Sequence, residues 1–245
     1  MRVHRSGAGA PTICSSFARV ARRRELSSKV QDMRVDYGSG GLQLTEDKCG
    51  DDPIALFKRW FKAATAHPDT IEPNAMALST VNATTLQPST RIVLLKAFDD
   101  TGFTWYTNYT SRKAQELDSN PRAALTFWWP GLERSVRVEG AVCKVDPEET
   151  AAYFQSRPRG SQIGAWASRQ SSSIDSPEVL AEREKALTAR FEGDPVPVPD
   201  FWGGYCLTPN RVEFWQGRAS RLHDRMAFTR MEGPEGPWTR DRLSP

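Results

Sequence analysis

From Ala75 onward the apolar residues fall into a period of two, and this constrains the fold more than any other feature of the chain. Met76, Leu78 and Thr80 alternate with Ala75, Ala77 and Ser79, so one face of the segment is set apart for a core. Further runs follow at Arg91–Lys96, Phe103–Thr107, Ala123–Trp129 and Ser135–Val145. Asn82 to Pro88 and Gly102 supply turn signals between the first three. Parallel strands need long crossovers, and most of these links are too short for one. The spacing therefore predicts about five strands in an antiparallel barrel or sandwich rather than a series of βαβ units.

Helices are expected around this sheet. Asp52-Pro53 places a capping acid before proline at the first helical position, and Phe57, Trp60, Phe61 and Ala64 form one apolar face that ends at Pro68. A helix from about Ser111 to Asp118 interrupts the third and fourth strands. Asp146-Pro147-Glu148-Glu149 opens another, which Arg157-Pro158 stops, and a third runs from Ser176-Pro177 to about Phe191 before Gly193. Residues 25–50 are polar and read as an arm rather than a packed element. A proline-rich link (Pro195, Pro197, Pro199) precedes a last β segment from Arg211, where Val212 and Phe214 alternate with Glu213 and Trp215. The division expected is a tail at 1–30, an arm at 31–50, a core at 51–194 and a C-terminal β segment at 195–245.

Charge decides some classes of partner. The net charge is +3, but residues 1–24 hold six arginines and no acid, so the remainder has 27 basic against 30 acidic residues. A mildly acidic body argues against a general nucleic-acid surface. The basic stretch reads either as a mitochondrial transit peptide or as a disordered tail, with the cytoplasm as the simplest location for the protein. No apolar run approaches a membrane span. Cys14, Cys49, Cys143 and Cys206 are far apart, which argues against a structural zinc site and a disulfide framework.

Four places could hold anions. Arg112 and Lys113 occupy the first turn of a helix, where the backbone already carries partial positive charge; either a phosphate is bound there or both side chains bend into solvent. Tyr153 and Arg157 are four apart and share a helical face, and with Ser161 they read as a second clamp, or Arg157 as a helix cap. Arg91 and Lys96 bracket an apolar strand, are five positions apart and so project to opposite faces if the strand is unbroken. After Gly217, the cations Arg218, Arg221 and Arg225 surround His223 beside Trp215, as a solvated basic hairpin or as a site for a flat anion. No phosphate-binding glycine loop, nucleophile elbow or paired-carboxylate spacing is present, so redox or group-transfer chemistry would need a cofactor.

Several of these stretches, taken together and in order, are more specific than any one. Arg91-Ile-Val-Leu-Leu-Lys96, Thr107-Asn-Tyr-Thr-Ser-Arg-Lys113, Val136-Arg-Val-Glu-Gly140, Tyr153-Phe-Gln-Ser-Arg-Pro158, Ser161-Gln-Ile-Gly164, Gln170-Ser171-Ser172, Trp202-Gly-Gly-Tyr205, Glu213-Phe-Trp-Gln-Gly217 and Arg221-Leu-His-Asp-Arg225 resemble the pyridoxine/pyridoxamine 5′-phosphate oxidase family, from about residue 33 to the C-terminus.

The resemblance implies a mainly β (α+β) protein: an FMN-binding split β-barrel, antiparallel with peripheral helices, working as a homodimer with FMN between subunits; an exposed aromatic load of Trp128, Trp129 and Trp215 is compatible with a subunit interface. By position, FMN would meet Arg91, Ile92, Val93, Leu94, Tyr106, Thr107, Arg112, Lys113, Gln170, Ser171, Trp215 and Arg225. Substrate would meet Lys96, Tyr153, Arg157 and Ser161 at its phosphate, Arg221, Leu222 and His223 at its ring, and a lid of Arg34, Val35, Asp36 and Tyr37. Arg221 and His223 carry the catalytic assignment, and no metal is implied. The implied reaction is oxidation of pyridoxamine 5′-phosphate or pyridoxine 5′-phosphate to pyridoxal 5′-phosphate, with dioxygen reduced to hydrogen peroxide. A non-catalytic flavin or pyridoxal 5′-phosphate binder and a split-barrel flavoenzyme with another substrate are the alternatives. One departure stands out: Ser135 occupies a position where the family commonly has glutamine.

Overall fold

The computed structural model describes residues 30, 33, 36–38, 43–230, 233 and 235–245; the possible transit segment and the arm residues Arg34 and Val35 lie outside them. Its elements are α1 (Glu46–Cys49), α2 (Pro53–Ala66), β1 (Ala75–Val81), β2 (Pro88–Leu94), β3 (Ala97–Phe98), β4 (Phe103–Asn108), α3 (Arg112–Ser119), β5 (Arg122–Trp129), β6 (Arg134–Lys144), α4 (Pro147–Ser156), α5 (Arg159–Ala167), α6 (Glu178–Arg190), β7 (Trp202–Gln216), β8 (Asp224–Thr229) and β9 (Thr239–Arg242).

All nine strands belong to one antiparallel sheet in the order β2-β1-β5-β6-β7-β4-β3, with β8 joining β7 and β9 joining β8. The two ends of that path, β2 and β3, are separated in the chain by only Leu95 and Lys96, so the sheet has to curl until its edges meet. The backbone shows the meeting: Leu95 N donates to Asn74 O at 2.8 Å, and Lys96 N donates to Thr104 O at 2.8 Å. The result is a half-closed antiparallel barrel, the split barrel expected. At the β6–β7 bulge a side chain on Gly140 would overlap the Thr208 carbonyl, so only glycine fits there.

The barrel interior is aromatic. The α2 helix starts as its sequence requires, with Asp52 Oδ1 accepting from Ile54 N at 2.7 Å. It then drives Phe57 into the barrel, where that ring meets Phe98, Phe103, Phe127 and Trp129 at centroid distances of 4.9, 4.9, 5.1 and 6.2 Å. Met76, Leu78 and Thr80 point inward as the alternation predicts.

Four readings need correction. Lys96 falls beyond the end of β2, so the strand that would have sent Arg91 and Lys96 to opposite faces is broken and both line one cleft. Arg157 likewise leaves the α4 helix with extended backbone (φ −75°, ψ 149°), so it does not share a helical face with Tyr153. The arm is partly core, because Leu44 and Cys49 are buried and Cys49 closes the short α1. Trp129, expected at the surface with Trp128 and Trp215, is buried and donates from Nε1 to Pro73 O at 3.0 Å. The α5 helix has no counterpart among the predicted elements.

Candidate active site

Along the seam of the barrel runs a cleft of about 930 Å³, at the upper end of the range for small-molecule sites. Its walls come from β2, the end of β4, the start of α3, both α4 and α5, and the turn at Gln170-Ser171. Of the residues predicted to meet FMN, it gathers Arg91, Ile92, Val93, Leu94, Tyr106, Thr107, Arg112, Lys113, Gln170 and Ser171. The predicted substrate-phosphate group, Lys96, Tyr153, Arg157 and Ser161, lines the same cleft.

One end is a cationic cradle organised by a carboxylate. Glu116 is buried on α3 and accepts from Thr80 Oγ1 at 2.5 Å, Ser89 Oγ at 2.6 Å, Arg112 Nε at 2.9 Å and Arg91 Nη2 at 3.4 Å. Burial alone would raise its carboxyl, but hydrogen bonds from Ser89, Thr80 and Arg112 hold it down at about 2. Lys113 does not bend into solvent: its Nζ donates to Gln170 Oε1 at 2.6 Å, Thr107 Oγ1 at 2.9 Å and Ser111 Oγ at 3.3 Å. Burial, with Arg91 nearby, lowers Lys113 to about 8. Two arginines thus share one carboxylate while Lys113 beside them is held only by neutral oxygens, an arrangement at the start of a helix that leaves room for an anion. Ser171 turns the wall with a left-handed φ of 73°, strained for a residue with a side chain.

The other end is aromatic. Tyr106 stacks on Tyr153 at 3.9 Å and on Trp202 at 5.4 Å, and the Arg157 guanidinium lies 4.7 Å from the Trp202 ring centroid. The buried Arg157 Nη1 has no hydrogen-bond partner among the described residues. A buried guanidinium nitrogen without an acceptor is costly, and a bound anion would satisfy it.

The C-terminal candidates sit elsewhere. Trp202 at one end of β7 lines the cleft, while Trp215 at the other end is thirteen residues away, up to about 40 Å along an extended strand. Trp215 borders a shallow recess with Tyr37, Trp128, Ser135 and Arg137, and Arg221 and His223 border a second recess with Asp36 and Tyr37. The Tyr37 ring meets Trp215 edge-on at 5.5 Å and His223 at 5.7 Å. His223 Nδ1 accepts from Arg218 N at 3.0 Å, which assigns its proton to Nε2 when neutral. Arg221 has a left-handed φ of 62°, directly after Ser220 at 57°, and Leu222 is exposed. Arg225 is held by buried Glu213, from Nε at 2.9 Å and from Nη2 at 2.7 Å. Within one chain, then, the cleft and the group around Tyr37, Trp215, Arg221 and His223 form separate sites.

Sequence reasoning missed Glu116, Trp202 and Glu213. Glu116 was accessible from its i,i+4 spacing to Arg112. Glu213 carried no such signal, because its partners Arg137 and Arg225 come from neighbouring strands.

Fold and cleft together define a split-barrel protein with the geometry for flat, anionic ligands. Comparison with known proteins narrows this. Residues 64–187 match the family model described as pyridoxamine 5′-phosphate oxidase, and residues 202–245 match the pyridoxine 5′-phosphate oxidase C-terminal dimerisation region. A pyridoxine/pyridoxamine 5′-phosphate oxidase of Bordetella avium is 55% identical over 88% of this chain and 99% of its own length. One from Acaryochloris marina is 51% identical over 89% of this chain and 96% of its own. Among solved structures, PhzG from Burkholderia lata, in complex with tetrahydrophenazine-1-carboxylic acid, superposes with a TM-score of 0.76 at 28% identity, covering 83% of this chain and 98% of that one. The chain belongs to the pyridoxine/pyridoxamine 5′-phosphate oxidase family and is an enzyme of that type. Among the described residues no helix is long and apolar enough to cross a membrane.

Proposed function

We propose that the protein is an FMN-dependent oxidase that converts pyridoxamine 5′-phosphate and pyridoxine 5′-phosphate to pyridoxal 5′-phosphate, with dioxygen as acceptor. The observation that carries this reading is that a single cleft contains two separate cationic groups, one around Glu116 and one around Arg157, with aromatic rings beside the second. Two phosphorylated aromatic ligands call for that arrangement, whereas a single anion would need only one group.

The residues fit FMN at the Arg91, Arg112 and Lys113 end, where cations outnumber the carboxylate and Lys113 is already desolvated. Bound there, the flavin would accept a hydride equivalent from the substrate and be reoxidised by dioxygen, yielding hydrogen peroxide. Substrate phosphate would be held by Lys96, Tyr153, Arg157 and Ser161, with the orphaned Arg157 Nη1 gaining an acceptor. Anchoring a small ring by its phosphate restricts its position, which is the main catalytic service the protein can offer. The oxidised carbon of the amine substrate becomes an imine, which water hydrolyses to the aldehyde and ammonia; the alcohol substrate gives the aldehyde directly.

Arg221 and His223 would face the substrate ring from the second copy of a homodimer. This arrangement is supported by their lining a recess other than the cleft in one chain and by the match of residues 202–245 to a dimerisation region. There, Arg221 would orient the ring, and His223, with its Nδ1 fixed by Arg218, would handle a proton at Nε2. Asp36 and Tyr37 would cover the site together with Arg34 and Val35. Trp215 and Arg225 would complete the flavin site.

A phenazine-type substrate is the main rival, and it would leave the Lys96, Tyr153, Arg157 and Ser161 group without a phosphate to bind. The test is the visible spectrum of the purified protein and its oxygen uptake with pyridoxamine 5′-phosphate. Flavin absorbance with uptake is expected. Absence of uptake, or uptake only with an unphosphorylated substrate, would remove the reading.

A further inference from the structure

Cys143 and Cys206 are far apart in sequence but directly opposed in the β6–β7 register. Directly opposed residues of antiparallel strands have Cα atoms about 4.5 or 5.5 Å apart and side chains on the same face. Both spacings lie inside the roughly 4.4–6.8 Å window for a disulfide. Both cysteines are free thiols; Cys143 is exposed and Cys206 half-buried. Neither takes part in the cleft chemistry.

We infer that Cys143 and Cys206 form a peroxide-oxidisable dithiol, a modification site that closes into a cross-strand disulfide. The order of events follows from their surroundings. Cys143 reaches solvent, so it meets the oxidant first. Cys206 is flanked on its other side by Thr104 of β4, and burial pushes its thiol up despite hydrogen bonds with Thr104 and Thr101. A thiol of this kind is a poor first nucleophile but is well placed to resolve a neighbour. The Cys143 sulfur attacks one oxygen of hydrogen peroxide, breaking the O–O bond and becoming a sulfenic acid while one water leaves. The Cys206 sulfur then attacks the sulfenic sulfur, the S–S bond forms, and a second water departs. Two thiols lose two electrons and two protons, and one peroxide becomes two waters. Hydrogen peroxide is also the product of the proposed oxidase reaction, which would supply the oxidant locally.

The bond spans the chain between Lys144 and Tyr205, which contains α4, α5 and α6. It therefore ties together the two strand positions from which Tyr153, Arg157 and Ser161 are suspended.

The test uses the full-length protein with added hydrogen peroxide, so it does not depend on oxidase activity. Intact mass and thiol alkylation are measured before and after treatment, followed by peptide mapping without reductant. The expected result is a chain lighter by two hydrogens, a Cys143–Cys206 linked peptide, and recovery of both thiols with dithiothreitol. Cys143→Ser and Cys206→Ser should each abolish the linked peptide, while a Cys14→Ser/Cys49→Ser variant should retain it. A linkage between chains, oxygen addition at Cys143 without a bond to Cys206, or Cys143 and Cys206 both remaining alkylatable would each overturn the proposal.

Discussion

Arg112 and Glu116 lie one helical turn apart on α3, with Nε 2.9 Å from Oε1. The other oxygen of the same carboxylate serves Thr80, Ser89 and Arg91 from β1 and β2. One buried acid thus joins a helix to two strands at the cationic end of the cleft. Glu116→Leu should cost about 2–4 kcal/mol, because it leaves several buried donors without an acceptor. Its carboxyl is lowered from 4.5 to about 2 by folding. The wild-type stabilisation is therefore full above about pH 4.5 and is lost as pH falls toward 2, a loss of up to about 3 kcal/mol. Urea titrations between pH 2 and 6 measure both effects, and a Glu116→Leu protein of wild-type stability would show that the carboxylate is dispensable.

Lys113 titrates in the opposite sense to a typical salt-bridged lysine. Its pKa falls from 10.5 to about 8 in the folded chain, so between those values the unfolded state binds more protons and stability rises with pH. A bound phosphate would restore the charged form. FMN affinity should consequently fall as pH rises above about 8, by up to about tenfold per unit. Fluorescence titration from pH 7 to 9.5 reads this, and Lys113→Met should bind more weakly with a flatter profile.

Arg221→Ala should lower turnover by about tenfold or more while FMN affinity stays unchanged, since the side chain is assigned to substrate rather than flavin. Steady-state oxygen uptake beside a flavin titration separates the two. Turnover equal to wild type would take Arg221 out of the mechanism.

Phe57 is the hub of the barrel interior, in ring contact with Phe61 as well as with four aromatic residues of the strands. Phe57→Ala should cost about 3–5 kcal/mol in chemical denaturation.

Much of this architecture could be read from local chemistry. Asp52-Pro53 announces α2, and the alternation at Met76, Leu78 and Thr80 sets the inner face of β1. The α5 helix was hidden because Gly160 and Gly164 weaken its propensity. Tertiary contacts sustain it instead: Ile163 is buried, and Gln162 Nε2 donates to the carbonyls of Phe154, Gln155 and Arg157. The convergence of Arg91 and Lys96 depends on where the sheet closes, which no single strand encodes. The motif stretches named the cleft residues, but the split of the site residues between the cleft and the group around Tyr37, Trp215, Arg221 and His223 follows from the length of β7. A linear sequence does not show that separation.

In the proposed dimer the cleft of one copy is completed by Arg221 and His223 of another. Complementation between two inactive variants tests it directly. Arg157→Ala damages the cleft, and Arg221→Ala damages the segment that would close the partner's cleft. After the two proteins are mixed, unfolded and refolded together in equal amounts, half of the dimers should pair unlike chains, and each of these regains one intact site. Oxygen uptake with pyridoxamine 5′-phosphate should then recover to about one quarter of wild type. Activity no higher than the average of the two variants would contradict the account and place the complete site within a single chain.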